Sequence, residues 1–262
     1  MSPGTVAVLD EGSFRRLAAI AHRDAGIHLG PGKRSLVQNR LARRLVATGL
    51  DFSRYADRVE RDGDPERTAF LEAMTTHETF FFRHHEHWDL VIAELARIPA
   101  PPRIWSAAAS SGEEAYSAAI ACGERHRSGR AEILATDLSR QVLATAERGE
   151  YGTYALQKVS EPCRRRWFAP CGPERWRIDA RAKAMVTFRK HNLLEPFAGG
   201  DFDVVFLRNV LIYFDAPTKE RAVRLVAERL RPGGLLLLGG SETLPAGVGG
   251  LAPVRPQVYR RG

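Results

Sequence analysis

The stretch Arg103-Ile104-Trp105-Ser106-Ala107-Ala108-Ala109-Ser110-Ser111-Gly112-Glu113-Glu114-Ala115-Tyr116-Ser117 reads as a short β-strand, a tight loop of small residues and the start of a helix. A second strand follows at Glu132-Ile133-Leu134-Ala135-Thr136 and ends in Asp137. A strand, a small-residue loop, a helix and then a strand tipped with an acid is how an open α/β sheet holds a nucleoside-bearing cofactor. Small residues let the ligand approach the backbone, and the acid accepts hydrogen bonds from ribose hydroxyls. Asp137 lies about 25 positions after Gly112, near the roughly 20 expected of such folds.

The loop is not Gly-x-Gly-x-x-Gly, and no Lys-Ser/Thr follows it. It lacks the flexible amides that cradle phosphates, so an adenosine ligand without phosphate fits better, and S-adenosylmethionine is the common one. A plainer reading is a strand–helix turn in which Ser111 caps the helix and Glu114 completes a capping box.

Outward from this stretch the chain changes character. Residues 10–75 carry only helical periodicity. Phe14, Leu17, Ala18 and Ala21 form one stripe, and Val37, Leu41 and Leu45 another, which predicts a small helical bundle. Residues 76–102 form a bridge, polar then aromatic then charged, with a helix over His87–Ile98 broken by Pro99-Ala100-Pro101-Pro102. From 103 to 262 strands and helices alternate. Strands are expected at 103–107, 132–136, 185–189, 203–207, 235–238 and 257–260, and helices at 113–125, 141–148 and 219–230. That order indicates a mostly parallel sheet covered on both faces. An Arg- and Trp-rich segment at about 160–190 reads as an inserted antiparallel β-subdomain, with hairpin arms around Gly172-Pro173.

The 262 residues accommodate one α/β domain plus a small accessory one. No apolar run approaches the roughly 18 residues that span a bilayer, and no secretory signal is apparent at the N-terminus. The three cysteines, Cys122, Cys163 and Cys171, fit a reducing cytoplasm and match no common zinc spacing, so no metal is expected. The net charge of +8 favours an acidic partner, whether nucleic acid, lipid or protein. A GC-rich genome that prefers Arg accounts for the same charge without any partner.

Two further motifs narrow the chemistry. Asp203-Val204-Val205-Phe206-Leu207 is a buried strand running into polar Arg208-Asn209 at the end where parallel sheets bind ligands. Leu230-Arg231-Pro232-Gly233-Gly234 before Leu235-Leu236-Leu237-Leu238 resembles the late signature of Rossmann-like methyltransferases.

From about Phe14 to Tyr259 the chain resembles the CheR-type chemotaxis receptor methyltransferases. The resemblance rests on the Lys33-Arg34 to Arg43-Arg44 helix and on Thr75-Thr76-x-x-Thr79-x-Phe81-Phe82-Arg83. It rests also on Trp105-Ser106-x5-Gly112-Glu113-Glu114-x-Tyr116-Ser117, Arg208-Asn209-Val210-Leu211-Ile212-Tyr213-Phe214 and Gly240-Ser241-Glu242. It implies a Rossmann-like class I methyltransferase domain, an N-terminal all-helical receptor-docking domain and an inserted antiparallel subdomain. The implied activity is transfer of the S-adenosylmethionine methyl to chemoreceptor glutamates as γ-glutamyl methyl esters, by a cytoplasmic, monomeric enzyme that needs no metal and binds no nucleic acid.

Carried over residue by residue, the resemblance places the cofactor against His77, Thr79, Arg83, Glu114, Asp137, Asn192, Leu193, Leu207 and Arg208. It gives Arg83 and Tyr213 the reacting centre. Lys33, Arg40, Arg43 and Arg44 would dock acidic receptor methylation helices, although a solvated basic face looks the same in sequence. The family usually has Asn where His77 stands, and a solvent-facing linker histidine is the alternative there. The short connection Pro170–Arg175 favours an enzyme that needs no receptor tether. Two other readings stay open: a Rossmann-like methyltransferase acting on nucleic acid, which the charge favours, and a CheR-like signalling module without turnover.

Overall fold

Two strands that no water reaches anchor the larger unit. In β7 (Phe202–Leu207) every residue is buried, and in β1 (Arg103–Ala107) all but the first are. Such unbroken apolar runs belong to the middle of a sheet covered on both faces. The computed structural model describes residues 8–98, 101–125 and 129–262. The break read at Pro99-Ala100 and the leader-free reading of residues 1–7 lie outside the described residues.

The chain divides into two compact units, residues 1–76 with 213–215, and residues 77–212 with 216–262. The first contains α1 (Glu11–Ala25), α2 (Arg34–Thr48), α3 (Phe52–Glu60) and α4 (Pro65–Met74). Each boundary has a local cause. Asp10 Oδ1 accepts the Ser13 amide at 2.8 Å, Asp51 caps α3 and Asp64 caps α4, where Pro65 sits in the first turn. Gly26 and Gly49 close α1 and α2 in the left-handed region. Phe14, Leu17, Ala21, Val37, Leu41 and Leu45 of the two stripes are buried, with Ala18 half-buried, and Tyr55, Val59 and Phe70 join them.

The second unit is built on a seven-stranded sheet ordered β6-β2-β1-β7-β8-β10-β9. Its strands are β2 (Glu132–Asp137), β1, β6 (Val186–Lys190), β7, β8 (Leu230–Leu238), β9 (Leu251–Arg255) and β10 (Val258–Arg261). Pairing is parallel from β6 through β8, and β10 is antiparallel to both β8 and β9. Helices α5 (Trp88–Leu95), α6 (Glu113–Arg125), α7 (Arg140–Arg148) and α10 (Ala216–Ala227) accompany it. Phe81, Trp88, Val91, Leu95 and Ile98 share one core with Ile104, Phe206, Leu235 and Leu237, so the stretch read as a bridge is packed into this unit.

The inserted subdomain is a separate three-stranded antiparallel sheet, β3 (Glu150–Gly152), β5 (Arg175–Ile178) and β4 (Phe168–Gly172), with α8 (Glu161–Trp167) and α9 (Ala180–Lys183). It starts earlier than the sequence indicates, because β3 precedes the Trp-rich arms. It ends before β6, which pairs with β2 in the main sheet. β9 carries no apolar alternation, and the sequence reading missed it.

Candidate active site

The loop after β1 is held by backbone bonds, not by glycines. Ala108, Ser110 and Gly112 all have positive φ, at 79°, 50° and 93°. The amides of Ala108 and Ala109 both donate to the Thr136 carbonyl, at 2.9 and 2.8 Å. Asp137 Oδ2 accepts the Ser110 amide at 2.9 Å, and its Oδ1 accepts that of Ser139 at 3.0 Å. The loop and the tip of β2 are therefore interlocked. Non-glycine residues in the left-handed region cost energy and persist where surroundings over-determine them, typically at binding sites. A Cβ on Gly112 would stand 2.8 Å from Ala146 Cβ, so helix α7 crosses here with room for hydrogen only.

These bonds also engage the loop's amides internally, which leaves no row of them facing a phosphate. Burial raises the Asp137 carboxyl above its ordinary value, while the Ser139 and Ser110 amides and the His77 charge draw it back. His77 thus stands beside Asp137, and its carbonyl accepts Ser110 Oγ at 3.4 Å.

One turn into α6, Glu114 does not complete a capping box. Ser111 Oγ donates instead to the Glu113 carboxylate, at 2.8 and 3.0 Å. Glu114 Oε1 accepts Ser106 Oγ at 2.7 Å, and Oε2 lies 3.4 Å from Arg208 Nη1. The Arg208 side chain is only 2% exposed. Its Nη2 donates to the Arg83 carbonyl, and its buried Nε has no partner among the described residues. Burial pushes the Glu114 carboxyl up and the Arg208 guanidinium down, each against the attraction of the other.

Arg83 is half-buried, and its Nη1 donates to the Glu78 carbonyl at 2.7 Å. Its carbonyl accepts Trp88 Nε1 as well as Arg208. Thr79 is half-buried four residues earlier. Past the end of β6, Asn192 Oδ1 accepts the Leu194 amide at 3.1 Å, an Asx turn that buries Leu193. Leu207 is wholly buried at the end of β7. Thr79, Arg83, Glu114, Asp137, Leu207 and Arg208 all belong to the second unit, with Glu114, Asp137, Leu207 and Arg208 at or near the C-terminal ends of β1, β2 and β7. Tyr213 falls in the first unit, where its carbonyl accepts the His28 amide at 2.7 Å.

Three residues with no role assigned from sequence flank Arg208. Glu242 is 4% exposed and accepts the amides of Asn209 (2.8 Å), Leu211 (2.8 Å) and Gly239 (2.6 Å). Asn209 is left-handed at φ 59°, and its Oδ1 lies 3.3 Å from His84 Nε2. The Gly240-Ser241-Glu242 motif was the available signal for Glu242; nothing in the sequence singled out His84.

Two arginines of the basic helix have partners within their own unit. Arg44 makes a bidentate bond with Glu66 at 2.7 and 2.6 Å, and Glu66, 4% exposed, also accepts Tyr55 Oη at 2.9 Å. Arg40 donates to the Met74 carbonyl and to Thr76 Oγ1. Both guanidiniums are therefore engaged inside the helical unit, with Arg40 closing the end of α4. Lys33 and Arg43 are exposed. Among the described residues no group of His, Cys, Asp and Glu side chains gathers as a metal site would require. No helix among them is long and apolar enough to cross a membrane.

Residues 12–75 match the family model described as "CheR methyltransferase, all-alpha domain", and residues 77–256 match "CheR methyltransferase, SAM binding domain". A "Chemotaxis protein methyltransferase" of Klebsiella aerogenes is 40% identical over 89% of this chain and 84% of its own length. One of Salmonella typhimurium with the same description is 39% identical over the same shares. "Chemotaxis protein methyltransferase Cher2" of Pseudomonas putida is 37% identical over 88% of this chain and 90% of its own. With both family domains matched in order and relatives this similar along most of its length, the chain belongs to the CheR methyltransferase family.

Proposed function

We propose that this protein transfers the methyl group of S-adenosylmethionine to glutamate side chains of chemoreceptors, forming γ-glutamyl methyl esters that adjust receptor signalling. The observation that carries the reading is the contact of Glu114 with Arg208, whose guanidinium also reaches the Arg83 carbonyl, while Asp137 tips β2, the strand paired with β1. The residues suit an adenosine ligand without phosphate: a half-buried carboxylate for the ribose diol, a second for an ammonium group, and the Ala108, Ala109, Ser110 and Gly112 amides already bonded internally.

Asp137 would bind the ribose hydroxyls, with His77 alongside. Glu114 would face the methionine ammonium, and Arg83 a carboxylate, that of the ligand or of the acceptor. Asn192 and Leu193 would border the adenine, and Thr79 and Leu207 the remaining wall. Arg208 serves by staying close to Glu114: a buried carboxylate with no cation nearby takes up a proton and loses its attraction for an ammonium. S-adenosylmethionine, when bound, supplies an electrophilic methyl on a sulfonium.

The acceptor glutamate is already ionised at neutral pH, so the protein needs no general base. Its residues align the carboxylate in line and strip its water, and these two effects provide the acceleration. Tyr213 would orient the acceptor. Exposed Lys33, just before α2, and Arg43 on it would meet an acidic receptor surface, with Arg40 and Arg44 beside them.

The test is incubation with methyl-labelled S-adenosylmethionine and receptor cytoplasmic fragments, with DNA and RNA as controls. Base-labile label on the receptor is expected. Label on nucleic acid would move the assignment to the reading that the +8 charge favours. Cofactor binding with label on neither would leave a signalling module without turnover.

A further inference from the structure

The Glu242 carboxylate ties together two chain segments that are distant in sequence. Its Oε2 accepts the amides of Asn209 and Gly239, at 2.8 and 2.6 Å, and its Oε1 accepts that of Leu211 at 2.8 Å. Gly239 follows the last residue of β8, while Asn209 and Leu211 belong to the turn that leaves β7. A Cβ on Gly239 would sit 2.6 Å from Glu242 Oε2 and 2.8 Å from the Asn209 nitrogen, so no larger residue fits between them.

The turn itself is unusual. Asn209 is left-handed, an uncommon state for a residue with a side chain. It is fixed twice, by its amide on Glu242 and by its side-chain oxygen near His84 Nε2. A buried acid that satisfies three amides is costly to place and is wasted on an ordinary turn. Here the residue just before Asn209 is Arg208, whose guanidinium reaches Glu114 and the Arg83 carbonyl. The 3-10 helix Leu211–Tyr213 begins at an amide that Glu242 holds and ends at Tyr213.

We propose that Glu242 is a positioning residue for the cofactor site: by binding the Asn209, Leu211 and Gly239 amides it fixes the turn that presents Arg208 to Glu114. This rests on the function proposed above, in which Arg208 keeps the Glu114 carboxylate charged for the cofactor's ammonium group.

The test compares wild type, Glu242→Gln and Glu242→Asp in the full chain. Three quantities are read: kcat and KM on receptor fragments, S-adenosylhomocysteine affinity by calorimetry, and hydrogen exchange at the three amides. Gln keeps the shape but turns one acceptor oxygen into a donor facing amide donors. Asp keeps the charge but is a methylene short. In both variants the three amides should exchange faster. Displacement of Arg208 from Glu114 should raise KM for S-adenosylmethionine and weaken the product's affinity about tenfold, with kcat at saturation within about 3-fold. If Gln prevents folding, the same split is read on Asp. Faster exchange with unchanged affinity would overturn the inference, as would a loss of kcat with affinity intact. A wild-type protein that esterified no receptor would instead sink the function reading, and this inference with it.

Discussion

Arg208 and Glu114 lie 3.4 Å apart, with side chains 2% and 15% exposed, so each is the other's counter-ion inside the protein. Removing one partner of such a pair strands a buried charge, at a cost of about 3–5 kcal/mol. Arg208→Met should destabilise the protein by that order in urea denaturation. Burial already raises the Glu114 carboxyl, and without Arg208 it rises further. A carboxyl raised on folding stabilises below its unfolded value and loses that contribution as pH climbs through its folded value. The deficit of Arg208→Met should therefore grow between pH 5 and pH 8. A deficit that is flat with pH would mean that Glu114 is not the group left stranded.

Gly112→Ala tests the loop independently of charge. The position has φ 93°, and an added Cβ would approach Ala146 Cβ at 2.8 Å. Left-handed strain and overpacking together should cost at least about 2 kcal/mol. Because relief requires α7 or the loop to move, S-adenosylhomocysteine affinity should fall with it. Thermal melting and calorimetry on one preparation check both; a stable variant with native affinity would show that the loop yields freely.

The fold was legible where pattern and burial coincide. The strand, loop and helix from Arg103 to Arg125 appear at the residues their composition marks, because an apolar run, small residues and an acidic first turn all agree there. Asp137 was legible because a carboxylate ending an apolar strand has few structural uses. The partners of Arg40 and Arg44 were not legible because a helical stripe records spacing and not partners: Glu66, which pairs with Arg44, lies on another helix. Glu242 was quoted but not understood, since its three amide partners lie up to 33 positions away and backbone donors leave no trace in sequence. His84 was missed for the same reason, its neighbour Asn209 being 125 positions on.

These bonds separate two kinds of basic residue on and just before α2. Arg44→Glu leaves Glu66 buried beside a like charge and should lower the melting temperature of the helical unit, whatever the substrate. Lys33→Glu and Arg43→Glu alter exposed residues and should leave melting unchanged. If Lys33 and Arg43 dock receptor, they should raise KM for receptor fragments several-fold, more so at low salt, with S-adenosylhomocysteine affinity intact. Unchanged KM in both would remove the helix from the docking surface.

At the reacting centre, Tyr213→Phe deletes one hydroxyl and Arg83→Ala one guanidinium. If Tyr213 orients the acceptor, Phe should lower kcat about tenfold or more while product affinity holds. Arg83→Ala should weaken product binding as well, if its cation pairs with the ligand's carboxylate. Full methyl transfer by both variants in a labelled-ester assay would remove these two residues from the reaction.

Glu113 offers a pH test separate from catalysis. It is 4% exposed, and its carboxylate has neutral partners, Ser111 Oγ at 2.8 and 3.0 Å and its own backbone amide. Burial raises this carboxyl above its ordinary value of 4.5, and the Ser111 bond opposes the rise only in part. Folded protein therefore binds the proton more tightly than unfolded chain. The stability this contributes is fully present below pH 4.5 and is lost as pH rises through the folded value. Glu113→Gln keeps an oxygen to accept Ser111 Oγ and carries no charge to bury. It should melt at a higher temperature than wild type at pH 7 to 8, and the gap should close on acidification toward pH 4.5. A gap that persists at low pH would assign the gain to packing, and no gain at pH 8 would mean that the Ser111 bond compensates the buried charge in full.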